Sequence, residues 1–254
     1  GSPYCSEFAH ETLGVELVNI EMSELEALLD EPPLGLSDEE HELLPKLQKL
    51  AFNAESLKQA LFVYKVLKHL AKTHRLDGLT LRCFDLVTQR KLTACLALAL
   101  MNKEGTLAGC EGDVPTLLSM ALLRALSRGN VFQANPAHID EDNNIITLAH
   151  CTIPIDMPCE YGLNTHFESN LGVAIEGKLA PGPCTLFKMA GNSKEFFVAD
   201  GVVLQRPHDK RLCRTQVTVG LLEESVGYFL QGAIGNHHVL CPGHYADLIC
   251  EFLS

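Results

Sequence analysis

The sequence predicts an α/β fold, with a parallel-sheet domain followed by an antiparallel β domain that is either a barrel or a sandwich. Two observations carry this prediction. Strand-like and helix-like segments alternate over the first half of the chain, which is typical of a parallel sheet covered by helices. After Cys151 the helical periodicity is lost until about Tyr245, and short β-type runs are separated by Gly and Pro turns.

The elements of the first half follow from local signals. Residues 14–20 (GVELVNI) are a short β-branched run and are predicted as a strand. Helices are expected where a Ser is followed three residues later by Glu, at Ser23 and Ser37. A longer helix is expected after Asn53, where Leu and Tyr recur near a 3.6-residue period. A strand and then a helix are predicted further along, at residues 79–84 and 88–101.

Residues 105–113 (GTLAGCEGD) are a Gly-rich loop that carries Glu111 and Asp113. The loop leads into a helix predicted over residues 115–126, which Asp113 is placed to cap. Open-sheet α/β proteins place ligand sites at such strand-to-helix loops. Helix capping explains Asp113 well but explains Glu111 poorly, because Glu111 lies outside the cap. Glu111 is therefore a candidate metal ligand or general base.

Three histidines are candidates to complete such a site. His150 ends a predicted strand, where a core histidine with a satisfied hydrogen bond is the simpler alternative. His237 and His238 are adjacent and bracketed by glycines, and solvated loop histidines are the alternative there. A carboxylate with widely separated histidines suits manganese or a similar ion. A Cys151 nucleophile paired with His150 is disfavoured, because neighbours on a strand point to opposite faces.

Composition argues against several function classes. The chain has 254 residues, of which 46% are hydrophobic and 20% charged, so it can bury a full core. Its net charge of -12, without a basic stripe, argues against nucleic-acid and anionic-membrane partners. No apolar stretch approaches the ~20 residues that span a bilayer, and no signal-peptide pattern opens the chain. The ten cysteines show no CxxC spacing, which predicts free thiols in a reducing cytoplasm.

Five short motifs occur in order along the chain: CEGDV, NPAHID, LAHCT, CRTQ and GNHH. With the stretches around them, they resemble the L-fucose/L-arabinose isomerase superfamily, and most closely its fucose isomerase-like group. The resemblance covers residues 79–245 well and residues 1–78 only in architecture. It implies α/β domains followed by a β-barrel. We therefore predict a Rossmann-like parallel-sheet α/β domain at residues 1–128, and a crossover plus a C-terminal antiparallel β-barrel domain at residues 129–254.

The resemblance implies an enzyme that interconverts aldoses and ketoses through an enediol, with a divalent metal that is usually Mn²⁺. Glu111 matches the family's catalytic and metal-binding Glu, and His150 matches a metal-binding His. Either His237 or His238 matches the C-terminal metal His. The family's second metal carboxylate is expected at residues 133–135, which read Gln-Ala-Asn here and offer no charge.

This departure leaves two functions open. The first is a metal-dependent sugar isomerase, with Asn135, Gln133 and Arg82 as candidate contacts to a small-molecule sugar. The alternative is a non-catalytic carbohydrate-binding or regulatory relative with a degenerate metal site. The family's first α/β domain is not recognised here, so we expect a piece of a longer protein, with Gly1-Ser2 either a cloning remnant or native internal sequence. Family members share sites between subunits, which implies a homo-oligomer.

Overall fold

The structure is a computed structural model that describes residues 3–31, 38–50, 53–205 and 208–253. Before Gly129 the described chain is mostly helical. Its elements are α1 (Ser6–Leu13), α2 (Met22–Asp30), α3 (Asp38–Leu50), α4 (Ala54–Thr73), β1 (Gly78–Leu81), α5 (Cys83–Arg90), α6 (Cys95–Glu104), β2 (Leu107–Cys110) and α7 (Val114–Ser127). The Asn53 side chain accepts hydrogen bonds from the first turn of α4, which confirms that start. The helix start expected at Ser37 lies outside the described residues.

The predicted parallel-sheet α/β domain is wrong. The parallel sheet within the described residues has only two strands, β1 and β2, paired from Gly78↔Leu107 to Leu81↔Cys110. Residues 14–20, predicted as a strand, instead form no regular element; the Val15 side chain packs on a core and Val18 is about half exposed. Alternating apolar residues make a strand only where a neighbouring edge takes up their N–H and C=O groups. The described chain places no such edge beside this segment.

The helix predicted over residues 88–101 is also different, because two helices replace it. Lys91 adopts a left-handed conformation with φ 57° and ends α5, and α6 begins at Cys95. Residues 95–102 are all buried, so the apolar content of α6 reflects burial on every side. Helix α6 packs between α4 and β2, while α7 covers both strands of the small sheet.

The predicted antiparallel β-barrel is confirmed. Its six strands close in the order β10-β3-β4-β9-β8-β7, and each pairs antiparallel with its neighbours. Closure leaves no free edge in the sheet. The strands of this part of the chain are β3 (Phe132–Asp140), β4 (Ile145–His150), β5 (Glu160–Asn164), β6 (Ala174–Lys178), β7 (Gly182–Met189), β8 (Phe196–Leu204), β9 (Thr215–Leu221) and β10 (His238–Pro242). Strands β5 and β6 form a separate hairpin beside β9, and two helices, α8 (Tyr228–Gln231) and α9 (Ala246–Leu253), complete the described chain.

Two apolar clusters hold these parts together. One runs from Leu57 of α4 and Leu98 of α6 to Leu148 and Val219 of the barrel strands. The other joins α7 to the outer face of β7 and β10. A division into domains at residue 128 stays a prediction. Among the described helices, none combines the length and the apolar character needed to cross a membrane.

Candidate metal centre

The loop between β2 and α7 presents two carboxylates. Glu111 and Gly112 both take left-handed backbone conformations, with φ of 65° and 64°. For Glu111 this conformation costs on the order of 1–3 kcal/mol, which the hydrogen bond from the Gly112 N–H to the Leu81 carbonyl, 2.9 Å long, helps to offset. Asp113 then caps α7 by accepting a hydrogen bond from the Thr116 N–H at 3.0 Å. The turn therefore holds Glu111 and Asp113 at the carboxyl end of the two-stranded sheet.

The barrel supplies a buried imidazole at the end of β4. His150 is 4% exposed, and its Nδ1 lies 2.8 Å from the hydroxyl oxygen of Thr152. The other ring nitrogen, Nε2, lies 3.7 Å from Oε1 of Glu111. Because Thr152 fixes one side of the ring, the opposite nitrogen is held toward the Glu111 carboxylate.

His237, directly before β10, supplies a second imidazole. Its Nδ1 lies 2.9 Å from Oδ2 of Asp113, and an ionised carboxylate can only accept, so Nδ1 donates. Its Nε2 lies 3.5 Å from Oε2 of Glu111 and is buried without a hydrogen-bond partner. A histidine that donates one N–H to a carboxylate and keeps its other nitrogen free has the arrangement of a metal ligand.

Glu111, His150 and His237 therefore meet, each with one ligand atom within 4.8 Å of the other two. Burial raises the pKa of Glu111, but the two nearby imidazoles of His150 and His237 outweigh it and hold that pKa well below its usual range. Burial lowers the pKa of His237, but Asp113 and Glu111 outweigh it and leave that pKa raised. A proton on His237 and a cation between the three side chains thus compete for the same negative charge.

A buried lysine stands behind this group. Lys188 of β7 is fully buried; its Nζ donates to Oγ1 of Thr116 at 2.5 Å and lies 3.5 Å from Oδ1 of Asp113. Burial raises the pKa of Asp113, but His237, Lys188 and Thr116 outweigh it and hold that pKa well below its usual range. Sequence analysis missed Lys188 and assigned Asp113 only a capping role. The available signal was one Lys inside the apolar run CTLFKM.

The structure does not bring His238 to the group. His238 is fully buried, and its Nε2 lies 3.1 Å from the hydroxyl of Tyr228, among the rings of Phe197 and Phe229. Burial lowers the pKa of His238 to about 3. Because successive side chains of a strand point to opposite faces, His237 and His238 cannot both face Glu111.

Gln133 and Asn135, the candidate sugar contacts on β3, differ in their hydrogen bonding. Gln133 accepts from the Cys110 N–H at 2.8 Å and donates to the Cys110 carbonyl at 3.2 Å, so its amide joins β3 to β2. Continuing the β3–β10 register by one residue places Asn135 opposite His237. The Asn135 Oδ1 is buried and has no hydrogen-bond partner, so Asn135 keeps an acceptor free beside the centre.

Arg82 lies on the open side of the loop. Its Nε lies 2.8 Å from Oδ2 of Asp85, and its side chain is largely exposed. A Cβ added at Gly112 would lie 3.0 Å from Cγ of Arg82, so Arg82 borders the turn that carries Glu111. The catalytic, metal-binding and sugar-binding roles assigned to all these residues stay predictions.

Comparison with known proteins connects the chain with sugar isomerases. No protein-family profile matches it. Proteins named sulfoquinovose isomerase from Priestia aryabhattai and Priestia megaterium are each 28% identical over 139 residues, which cover 52% of this chain and 31% of the relative. A protein of the same name from Clostridium sp. is 28% identical over 231 residues, 84% of this chain and 50% of the relative. The chain thus spans about a third to a half of the length of these relatives.

Proposed function

We propose that the chain carries the metal-binding part of an aldose–ketose sugar isomerase. The observation that carries this proposal is the convergence of Glu111, His150 and His237, which come from a loop of the helical region, the end of β4 and the residue before β10. Similarity to proteins named sulfoquinovose isomerase supports the choice of reaction and of substrate class. The proposed partner is a small sugar, and we propose sulfoquinovose as the first substrate to test.

The donor set fits a divalent cation of the first transition series. Glu111 offers carboxylate oxygens, while His150 and His237 offer imidazole nitrogens that point at it. The unpartnered Nε2 of buried His237 is costly unless something binds it. Oxygen and imidazole ligands suit Mn²⁺ and similar ions, and we propose Mn²⁺. Asp113 would support the ligand His237, by orienting its ring and supplying negative charge behind it.

The residues divide the chemistry between them. A bound divalent ion supplies Lewis-acid stabilisation to the oxygens of an open-chain sugar. Glu111 is ionised throughout the neutral range, because its pKa is held low, so its carboxylate can accept a proton from one sugar carbon and return it to the next. The free acceptor of Asn135 is available to a sugar hydroxyl. Gln133 would act indirectly, since its amide is occupied by Cys110.

A second candidate function is carbohydrate binding without turnover. The observation that favours it is the charge of the centre: the group found among the described residues contains one carboxylate, and its neighbour Asn135 is neutral. A centre with few negative ligands binds Mn²⁺ weakly and has fewer groups to move a proton. In this case the fold and sugar binding would persist without the enediol chemistry.

One experiment separates these functions. The full-length protein is titrated with Mn²⁺ by calorimetry and then incubated with sulfoquinovose or with neutral aldoses in D₂O. We expect saturable Mn²⁺ binding and Mn²⁺-dependent deuterium incorporation at C1 or C2, because a proton held on a carboxylate exchanges with solvent. Sugar binding without deuterium incorporation would favour the second function. Absence of Mn²⁺ binding would exclude the proposed metal centre.

A further inference from the structure

Two buried cysteines touch beside the candidate metal centre. Cys83 is the first residue of α5, and Cys110 is the last residue of β2, directly before Glu111. Their sulfur atoms lie 2.9 Å apart, and the residues are only 8% and 4% exposed. Both are free thiols in the structure. They belong to adjacent chain segments, because Leu81 pairs with Cys110 across the two-stranded sheet.

This spacing needs little movement to become a covalent bond. A disulfide joins its sulfurs at about 2.05 Å, so the two thiols need to approach by less than about 1 Å. Hydrogen bonds already hold the backbone near both cysteines. The Gly112 N–H donates to the Leu81 carbonyl, and Gln133 binds the peptide groups of Cys110. The pair is therefore held in contact by structure that neither thiol provides.

We propose that Cys83 and Cys110 form a reversible disulfide that controls the metal centre, with hydrogen peroxide as the oxidant. One thiolate attacks a peroxide oxygen, the O–O bond breaks, and a sulfenic acid and one water form. The second thiol then attacks the sulfenic sulfur, the S–S bond forms and a second water leaves. The two thiols lose two electrons and two protons in total, which reduce the peroxide. An excess of a small dithiol reverses the step by thiol–disulfide exchange.

The link to the metal centre is the position of Cys110 in the chain. Glu111 follows Cys110 and already occupies a left-handed conformation with little freedom to adjust. The sulfur atoms close a gap of less than about 1 Å, so the expected shift of Cys110 is small, and it acts on the adjoining Glu111 turn, whereas His150 and His237 are held by the barrel. The carboxylate then leaves its place between the two imidazoles. Disulfide formation is independent of the proposed function, and only its effect on metal binding rests on that function.

The test treats the full-length protein with hydrogen peroxide and maps disulfides by mass spectrometry of an unreduced digest. We expect a peptide cross-linked through Cys83 and Cys110, and a loss of Mn²⁺ affinity of about tenfold or more, as when the support of a metal ligand is disturbed. Dithiothreitol should restore the affinity. Cys83→Ser should keep its Mn²⁺ affinity after peroxide, whereas Cys184→Ser, which removes a fully buried barrel thiol, should respond as the wild type does.

Three outcomes would overturn the proposal or part of it. If a peroxide dose that oxidises the exposed Cys159 gives no Cys83–Cys110 cross-link, the disulfide is wrong. If the cross-link forms and Mn²⁺ affinity is unchanged, the control of the metal centre is wrong. If the untreated protein binds no Mn²⁺ but still forms the cross-link, the proposed metal centre fails while the disulfide stands. Cys83→Ala replaces Cys83→Ser should the latter fail to fold.

Discussion

The helical region and the barrel contribute to the candidate centre in different ways. The helical region supplies both carboxylates, Glu111 and Asp113, from one tight turn with left-handed backbone. The barrel supplies both imidazoles. His150 ends β4 and His237 directly precedes β10, and each of these strands pairs with two neighbours. The negative charge of the centre therefore comes from a short loop, whereas the closed sheet holds its imidazoles in fixed positions.

This difference between loop and barrel indicates which part of the centre substitutions can alter most easily. A closed barrel fixes the direction of its side chains through register, so exchanging His237 for His238 as a ligand would require a one-residue slip of β10. The loop is held by a few contacts, chiefly the Gly112 hydrogen bond and the Asp113 cap. We expect loop substitutions to alter chemistry with little effect on folding.

The largest expected effect follows from a substitution in the loop between β2 and α7. Glu111→Gln removes the proposed base and the centre's carboxylate, so turnover of the full-length protein should fall by ~10²–10⁴-fold. The melting temperature should change little, because Glu111 is only partly buried and is not part of the apolar core. Steady-state assays and thermal unfolding measure the two effects. Glu55→Gln, an exposed carboxylate on α4, is the matched control, and equal turnover in both variants would exclude Glu111 as the base.

The next comparison lies within the barrel. His237→Gln should weaken Mn²⁺ binding on the order of 100-fold or more, at or above the loss seen when a ligand's supporting group is removed. His238→Phe should leave Mn²⁺ binding unchanged, because His238 contacts the rings of Phe197 and Phe229 and does not reach the centre. The Tyr228 hydroxyl keeps its hydrogen bond from the Ile234 N–H. Calorimetric titration measures both, and equal losses would show that the register does not select His237.

A third prediction tests whether Asp113 of the loop raises the Mn²⁺ affinity of the centre through His237 of the barrel. Asp113→Asn keeps a cap for α7 but removes the charge behind His237, so Mn²⁺ affinity should fall by about 10–100-fold. Asp85→Asn, which removes a carboxylate paired with Arg82 in the same region, is the control and should bind Mn²⁺ as the wild type does. Unchanged affinity in Asp113→Asn would mean that Asp113 serves only the helix.

The smallest expected effect concerns the neutral position on β3. Asn135→Asp should tighten Mn²⁺ binding by about tenfold or less, because affinity in oxygen-ligand sites rises with the number of charged ligands. Asn192→Asp adds the same charge at an exposed position and should have no effect. If the Mn²⁺ affinity of Asn135→Asp stays the same or falls in calorimetry, Asn135 does not face the ion.

Short-range patterns predicted the antiparallel β region, as either a barrel or a sandwich, and several local structures, whereas the barrel itself was implied by the family resemblance. Alternating burial in β8 and the Asn53 and Asp113 caps are visible in a few neighbouring residues. Residues 14–20 show the limit: their alternation was strand-like, but strand formation needs a partner from elsewhere in the chain. The same limit explains the failed parallel-sheet domain, which reduces to β1 and β2.

By itself, the sequence determined that Glu111 is not explained by capping and that His150, His237 and His238 are candidate ligands. Only the tertiary structure decided that His237 and not His238 meets Glu111, that Asp113 orients His237, and that Lys188 stands behind Asp113. The physical reason is that ligand geometry depends on strand register and barrel closure. These join residues far apart in the chain, and no local pattern encodes the distance between them.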